Sequence, residues 1–182
     1  MNNFQTIILL LFSISSISQE KVIINPVKEI GLNNWRIVND NVMGGVSKSD
    51  LYLNENKNLI FSGEVSLDYN GGFASCRHSL EEINLEGVVS FKMRIKGDGK
   101  TYKFRLSQSN RSVNYSSNFQ TKKNTWIDVE IFINDLSPTF MGYYSRSSPK
   151  IKIENMNSIG FLISDKQKGE FSLEIKNVKA MK

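Results

Sequence analysis

The sequence predicts an all-β protein, an antiparallel β-sandwich. Three observations lead there. Apolar and polar residues alternate at period two in several short runs, helical periodicity is almost absent, and Gly-, Asn- and Asp-rich turn signals separate the runs. About nine or ten strands with few helices make a sandwich or jelly roll. Strand spacing alone does not separate a jelly roll from an immunoglobulin-like sandwich. The 182 residues, 40% hydrophobic and 23% charged, suit one globular domain with a sizeable core.

The elements follow in chain order. Ile7 to Phe12 is unbroken apolar, and Ser16-Ile17-Ser18 has the small-x-small pattern of a signal-peptidase site. The run is too short for a permanent bilayer span, which needs roughly 20 residues. Residues 1–18 are therefore read as a secretory signal peptide and 19–182 as the mature domain, exported to the periplasm or medium. An uncleaved anchor and a buried first strand are the alternatives. Leu59 to Leu67 reads as a strand. Ser79 to Leu85 is the best helix candidate, with Ser79 as N-cap and Glu81 and Glu82 in its first turn. Val89, Phe91, Met93 and Ile95 face one way while Ser90, Lys92, Arg94 and Lys96 face the other. After Gly97-Asp98-Gly99, Tyr102, Phe104 and Leu106 resume the alternation, which predicts a hairpin. Ile127 to Ile133, Ile159 to Ile163 and Phe171 to Ile175 are further strands.

Composition excludes several classes of chemistry. Lys and Arg exceed Asp and Glu by five, spread along the chain except for a basic tail from Lys176 to Lys182. That is a solvated surface rather than a nucleic-acid face. One cysteine and one histidine, Cys76 and His78, make no intrachain disulfide and no His/Cys zinc site. Two apart on a strand, they point to one face, which a Cys–His nucleophile pair needs; a small buried Cys is the plainer reading. Asp40, Asp68, Asp98 and Asp135 lie near turns, where Asp serves its own backbone. Neither G-x-G-x-x-G before a helix nor a Walker A loop is present. No enzyme or cofactor is expected; a carboxylate-bound calcium stays open, with no EF-hand-like spacing behind it.

Function is sought in three Gly-rich blocks: Asn39 to Ser47, Asn70 to Ser75, and Lys96 to Lys100. Glycine tolerates positive φ and close backbone approach. Gly45 and Gly72 are expected where a Cβ is not tolerated. Asp40, Asn70, Arg77 and Asp98 flank these turns. Together they make either one polar patch floored by Phe73 or, as the preferred reading, a buried Arg77–carboxylate bridge to Asp40 or Asp98. Aromatic residues near loops, Trp35 and Trp126 among them, suit a sugar or peptide site, with core plugging as the alternative.

Taken together the blocks resemble the complex I intermediate-associated protein family. The resemblance rests on Trp35 to Ser47, Phe61 to Leu67, Asn70 to Ser75 with Arg77, Gly97 to Lys100 with Tyr102, Phe119, Thr121 and Trp126, then Ile159 to Phe161 and Gly169 to Phe171. It covers roughly residues 31–180. It implies a galactose-binding-like jelly roll and a chaperone-like role in assembly of NADH:ubiquinone oxidoreductase, without catalysis. It also implies a shared binding surface at Asp40, Met43, Gly44, Gly45, Asn70, Gly71, Gly72, Phe73, Ser75, Arg77, Asp98 and Lys100. The expected function is a non-catalytic protein-binding or assembly module. A carbohydrate- or small-ligand-binding module outside the cytoplasm is the alternative.

Overall fold

The protein is described by a computed structural model that covers residues 19–26, 32–80, 83–108, 113–140 and 142–182. The expected signal peptide lies outside these residues. The strands are β1 (Glu20–Ile24), β2 (Trp35–Ile37), β3 (Lys48–Leu53), β4 (Leu59–Val65), β5 (Ala74–Ser79), β6 (Ser90–Lys96) and β7 (Thr101–Ser107). They continue with β8 (Val113–Gln120), β9 (Trp126–Phe132), β10 (Ser137–Phe140), β11 (Tyr143–Tyr144), β12 (Ser158–Ile163) and β13 (Gly169–Met181). Among the described residues the only helical turns are short 3-10 segments, and no helix is long and apolar enough to cross a membrane.

Two antiparallel sheets face each other. Sheet A runs β3-β4-β13-β6-β9, with β1 added to β13. Sheet B runs β11-β10-β8-β7-β12-β5-β2. The predicted antiparallel sandwich is what the chain forms. Its core is aromatic and aliphatic, and rings cross between the sheets. Phe91 of sheet A meets Phe104 of sheet B at 5.1 Å between centroids, and Tyr102 of sheet B meets Phe171 of sheet A at 6.5 Å. In β13 a register shift between Ile175 and Asn177 resets the alternation, so Leu173, Ile175, Val178 and Ala180 are all buried.

Two local expectations need correction, the hairpin and the helix. β6 and β7 do not form a hairpin. β6 pairs with β13 and β9 in sheet A, and β7 with β8 and β12 in sheet B, so Gly97-Asp98-Gly99 carries the chain between sheets. Strands facing across a sandwich show the same alternation as strands paired in a hairpin, so period two cannot tell them apart. Ser79 ends β5, its N–H donates to the Asn34 carbonyl, and residues 83–85 are not helical; Glu81 and Glu82, expected in the first turn, lie outside the described residues. The basic tail is the end of β13, paired with β1 on one side and β6 on the other. Trp126 is no core plug. It stands on the outer face of sheet A with the Lys96 ammonium 5.2 Å from its ring. Trp35, by contrast, is buried edge-on against His78.

Candidate functional site

The first two Gly-rich blocks are joined through one carboxylate. Asp40 opens a 3-10 turn, Asp40–Met43, that ends at Gly44 with φ +92°. Its Oδ1 accepts the Ser47 amide at 2.9 Å. Its Oδ2 accepts the Ser47 hydroxyl at 2.5 Å and the amides of Gly72 at 2.6 Å and Phe73 at 3.2 Å. Burial alone would raise its pKa. The Ser47 hydroxyl and the amides of Gly72, Ser47 and Phe73 outweigh that, and the carboxyl sits below its usual range. Ser47 Oγ also accepts the Ser66 amide at 3.0 Å, which ties the end of β4 to the same knot. Asn39 adds a second tie: its Oδ1 accepts the Ser49 hydroxyl and the Ser75 amide.

The glycines fit this geometry. A Cβ at Gly45 would collide with the Asp40 carboxylate, and one at Gly71 would crowd its Oδ2. Gly72 has φ +137°. Neither Gly45 nor Gly72 has room or backbone freedom for a side chain, for two different reasons.

Apolar side chains point outward from these tied loops. Val42, Met43 and Val46 are exposed on the first loop, Leu67 and Tyr69 on the second. Tyr69 and Asn70 both have positive φ, 53° and 59°. Left-handed backbone is unfavourable for a bulky residue, and Tyr69 is 76% exposed, so no burial compensates it. It lies in the 3-10 turn Asp68–Asn70, which the Gly71 amide closes on the Asp68 carbonyl. Tyr69 was among the loop aromatics noted in the sequence, whereas Ser47, Ser66 and the exposed Val42, Val46 and Leu67 were not singled out as site residues. Ser47, a hydroxyl seven residues beyond Asp40 across two glycines, was the legible sign.

Of the other expected site residues only Ser75 adjoins this knot, through its amide on Asn39. Ser75, on β5, donates its hydroxyl to the Val38 carbonyl. Asp98 serves the crossing between the sheets. It accepts the Lys100 amide at 2.9 Å, the Tyr102 hydroxyl at 3.0 Å and the Ser172 amide at 3.0 Å. Lys100 reaches the Lys168 carbonyl. Asp98 and Lys100 line a hollow on the outer face of sheet A with Lys48, Glu64 and Glu170. Arg77 is on β5, with Arg36 beside it in register on β2. It pairs with neither Asp40 nor Asp98, whose oxygens are taken by amides and hydroxyls. The expected Arg–carboxylate bridge is absent. The twelve residues thus occupy three places: those from Asp40 to Gly45 and from Asn70 to Phe73 adjoin, with Ser75 tied to them through Asn39; Arg77 lies further along β5; and Asp98 and Lys100 lie at the crossing between the sheets.

Cys76 and His78 share the inner face of sheet B, both buried. Burial pushes the Cys76 thiol far up, which makes it a poor nucleophile. Among the described residues no group of three or more His, Cys, Asp or Glu is placed to hold a metal.

Comparison with known proteins bears on the family and the fold. The family model described as complex I intermediate-associated protein 30 matches residues 25–175. No curated protein matches the chain. Among solved structures, a family 11 carbohydrate-binding module of a cellulosomal cellulase from Clostridium thermocellum superposes with a TM-score of 0.67 at 16% identity, covering 89% of this chain and 94% of the module. The same kind of module in complex with a β-1,3-1,4-mixed-linked tetrasaccharide gives 0.65 at 17%, over 88% and 94%. A family 29 carbohydrate-binding module complexed with cellulohexaose gives 0.56 at 10%, over 90% and 91%. These likenesses are of fold.

Proposed function

We propose that this chain, which belongs to the complex I intermediate-associated protein 30 family, is a non-catalytic binding module that holds a protein partner against the Asp40-tied loops. One observation carries the reading. Val42, Met43, Val46, Leu67 and Tyr69 are exposed on loops fixed from inside by a buried carboxylate. Loops ordered before contact lose little entropy on binding, and exposed Met and Tyr are favoured contact residues. An exposed aromatic held in left-handed backbone supports the same reading, since such strain gathers at functional sites. The partner class we infer is an assembly intermediate, as the family's name describes, met outside the cytoplasm after export. The test is capture of partners from source membranes by the full chain and by Met43→Asp and Tyr69→Ala. Both variants should keep the wild-type melt and lose whatever the wild type specifically retains. Equal retention by all three would overturn the reading.

A second reading is carbohydrate binding. It is favoured by the module-like fold and by Tyr143 and Tyr144, exposed at the edge of sheet B. Binding to a neutral glucan on a glycan array, lost in Tyr144→Ala, would support it.

A further inference from the structure

The two outer faces of the sandwich treat their charges in opposite ways. On sheet A the strands carry both signs: Lys92 pairs with Glu130, Arg94 with Asp128, Lys96 with Glu174 and Lys179 with Glu20, and Asp50, Glu64 and Glu170 lie on the same sheet as Lys21, Lys48 and Lys176. The seven strands of sheet B carry Arg36, Arg77, Lys103 and Arg105 and not one Asp or Glu. Lys103 is matched from a loop, by Asp165 at 2.9 Å. The three arginines are not matched: among the described residues none has a hydrogen bond or ion pair from its guanidinium.

The three lie in one row. Arg36 pairs with Arg77, Arg77 with Gly160, and Gly160 with Arg105. Neighbouring strands stand about 4.8 Å apart, so the roots of Arg77 and Arg105 are roughly 10 Å apart with no side chain between them. The Arg77 stem leans over that gap: a Cβ on Gly160 would lie 3.3 Å from its Cγ. The Nε atoms of Arg77 and Arg105 are buried without an acceptor. Burial, and then the charge of Arg77, hold the pKa of Arg105 down to about 10, so it is still a cation at neutral pH. Beside the row on the same outward face, Ser75, Ser107, Ser116 and Ser158 are buried, so the surroundings of the arginines are polar. A hollow of ≈ 380 Å³ opens at one end, lined by Asn33, Asn34, Arg36, Arg77, Ser79 and Ser158 among others.

Gathered like charges with orphaned, half-covered N–H groups are costly to fold. A ligand with negatively charged oxygens removes that cost, because the guanidinium fork matches carboxylate, sulfate and phosphate in bidentate geometry. We propose that the outer face of sheet B is an oxyanion-binding site, taking a ligand with carboxylate, sulfate or phosphate groups onto Arg36, Arg77 and Arg105. This face is separate from the tied loops, and Met43→Asp should leave it untouched.

The test is calorimetric titration of the full chain with inorganic sulfate, inorganic phosphate and a trigalacturonate, with cellohexaose as the neutral control. At least one anion should bind, less tightly as salt rises, and should raise the melting temperature as its concentration grows. Trigalacturonate binding ten times tighter than either inorganic ion points to a polyanionic chain; parity points to a free anion. Arg77→Gln with Arg105→Gln should cut anion affinity by about tenfold or more, as expected for loss of charge-assisted contacts, with an unchanged or higher melt in the absence of anion. Arg36→Gln, at an exposed position, should weaken binding without disturbing the fold, and keeps the test valid if the double variant misfolds. No binding of any of the three anions, or variants that bind as wild type, would overturn the proposal.

Discussion

The carboxylate of Asp40 accepts the amide of Gly72 at 2.6 Å, although the two are 32 positions apart in the chain. The bond joins the loop before β3 to the loop before β5. Gly71 and Gly45 lie so close to the same carboxylate that neither has space for a side chain. The exposed loops and the stability of the fold therefore share one group.

Asp40→Asn should lower stability by about 1–3 kcal/mol, since the amide keeps the shape and loses the charge that four donors answer. The change is read from the midpoint of urea unfolding. Asp40 also predicts a pH dependence. Its folded pKa lies below the ordinary carboxylate value, so its contribution is fully present above the unfolded pKa of about 3.9. It is lost as pH falls through the folded pKa. The acid limb of the stability curve should be shallower in Asp40→Asn. Superimposable acid limbs would remove Asp40 from that role.

Gly45→Ala and Gly72→Ala should each cost on the order of 1–3 kcal/mol, the first by collision and the second by positive φ. Gly44 also has positive φ, +92°, but faces open space. Gly44→Asn, which tolerates that backbone region, should cost less than either. Equal melts for all three would show that these blocks are merely loop.

Glu174 predicts a second weak point, on sheet A. It is buried, its Oε1 accepts Asn54 and Asn58 at 2.7 Å each, and its Oε2 meets the Lys96 ammonium at 2.5 Å. Glu174→Ala should destabilise by roughly 1–3 kcal/mol, because the two amides lose their acceptor. Lys96→Met should cost less, since Lys96 is partly exposed and solvent screens it. The reverse order in thermal melts would mean that the ammonium, not the carboxylate, organises the group.

Export predicts a mature chain that begins at Gln19, after the small-x-small pattern at Ser16-Ile17-Ser18. Mass spectrometry of the native protein reads its N-terminus. An intact Met1 in a cytosolic fraction would sink the prediction.

The sandwich was legible because period-two alternation reports burial on one face, as in Phe91, Met93 and Ile95. Which strands pair was not, because Ile95 and Tyr102 read alike whether paired edge to edge or facing across the core. The need for glycine at positions 45 and 72 was legible from the blocks themselves. The tie from Asp40 to Gly72 was not: Ser47 shares the Asp40 loop, whereas Gly72 meets the carboxylate only once two loops are brought together. Arg77 was misread for a related reason. A lone arginine near two aspartates suggests a bridge, whereas its neighbours, Arg36 and Arg105, are set by sheet register. The absence of Asp and Glu from the strands of sheet B was visible in the sequence, but only strand assignment turns it into a property of one face.

Cys76 is the chain's single cysteine, and it lies fully enclosed on the inner face of β5. The molecule thus carries a built-in clock for its own opening. A thiol-reactive dye added to the native protein can label only in the intervals when the two sheets part. The labelling rate therefore times that separation directly, without an engineered probe. Any ligand that holds the sheets together announces itself as slower dye uptake.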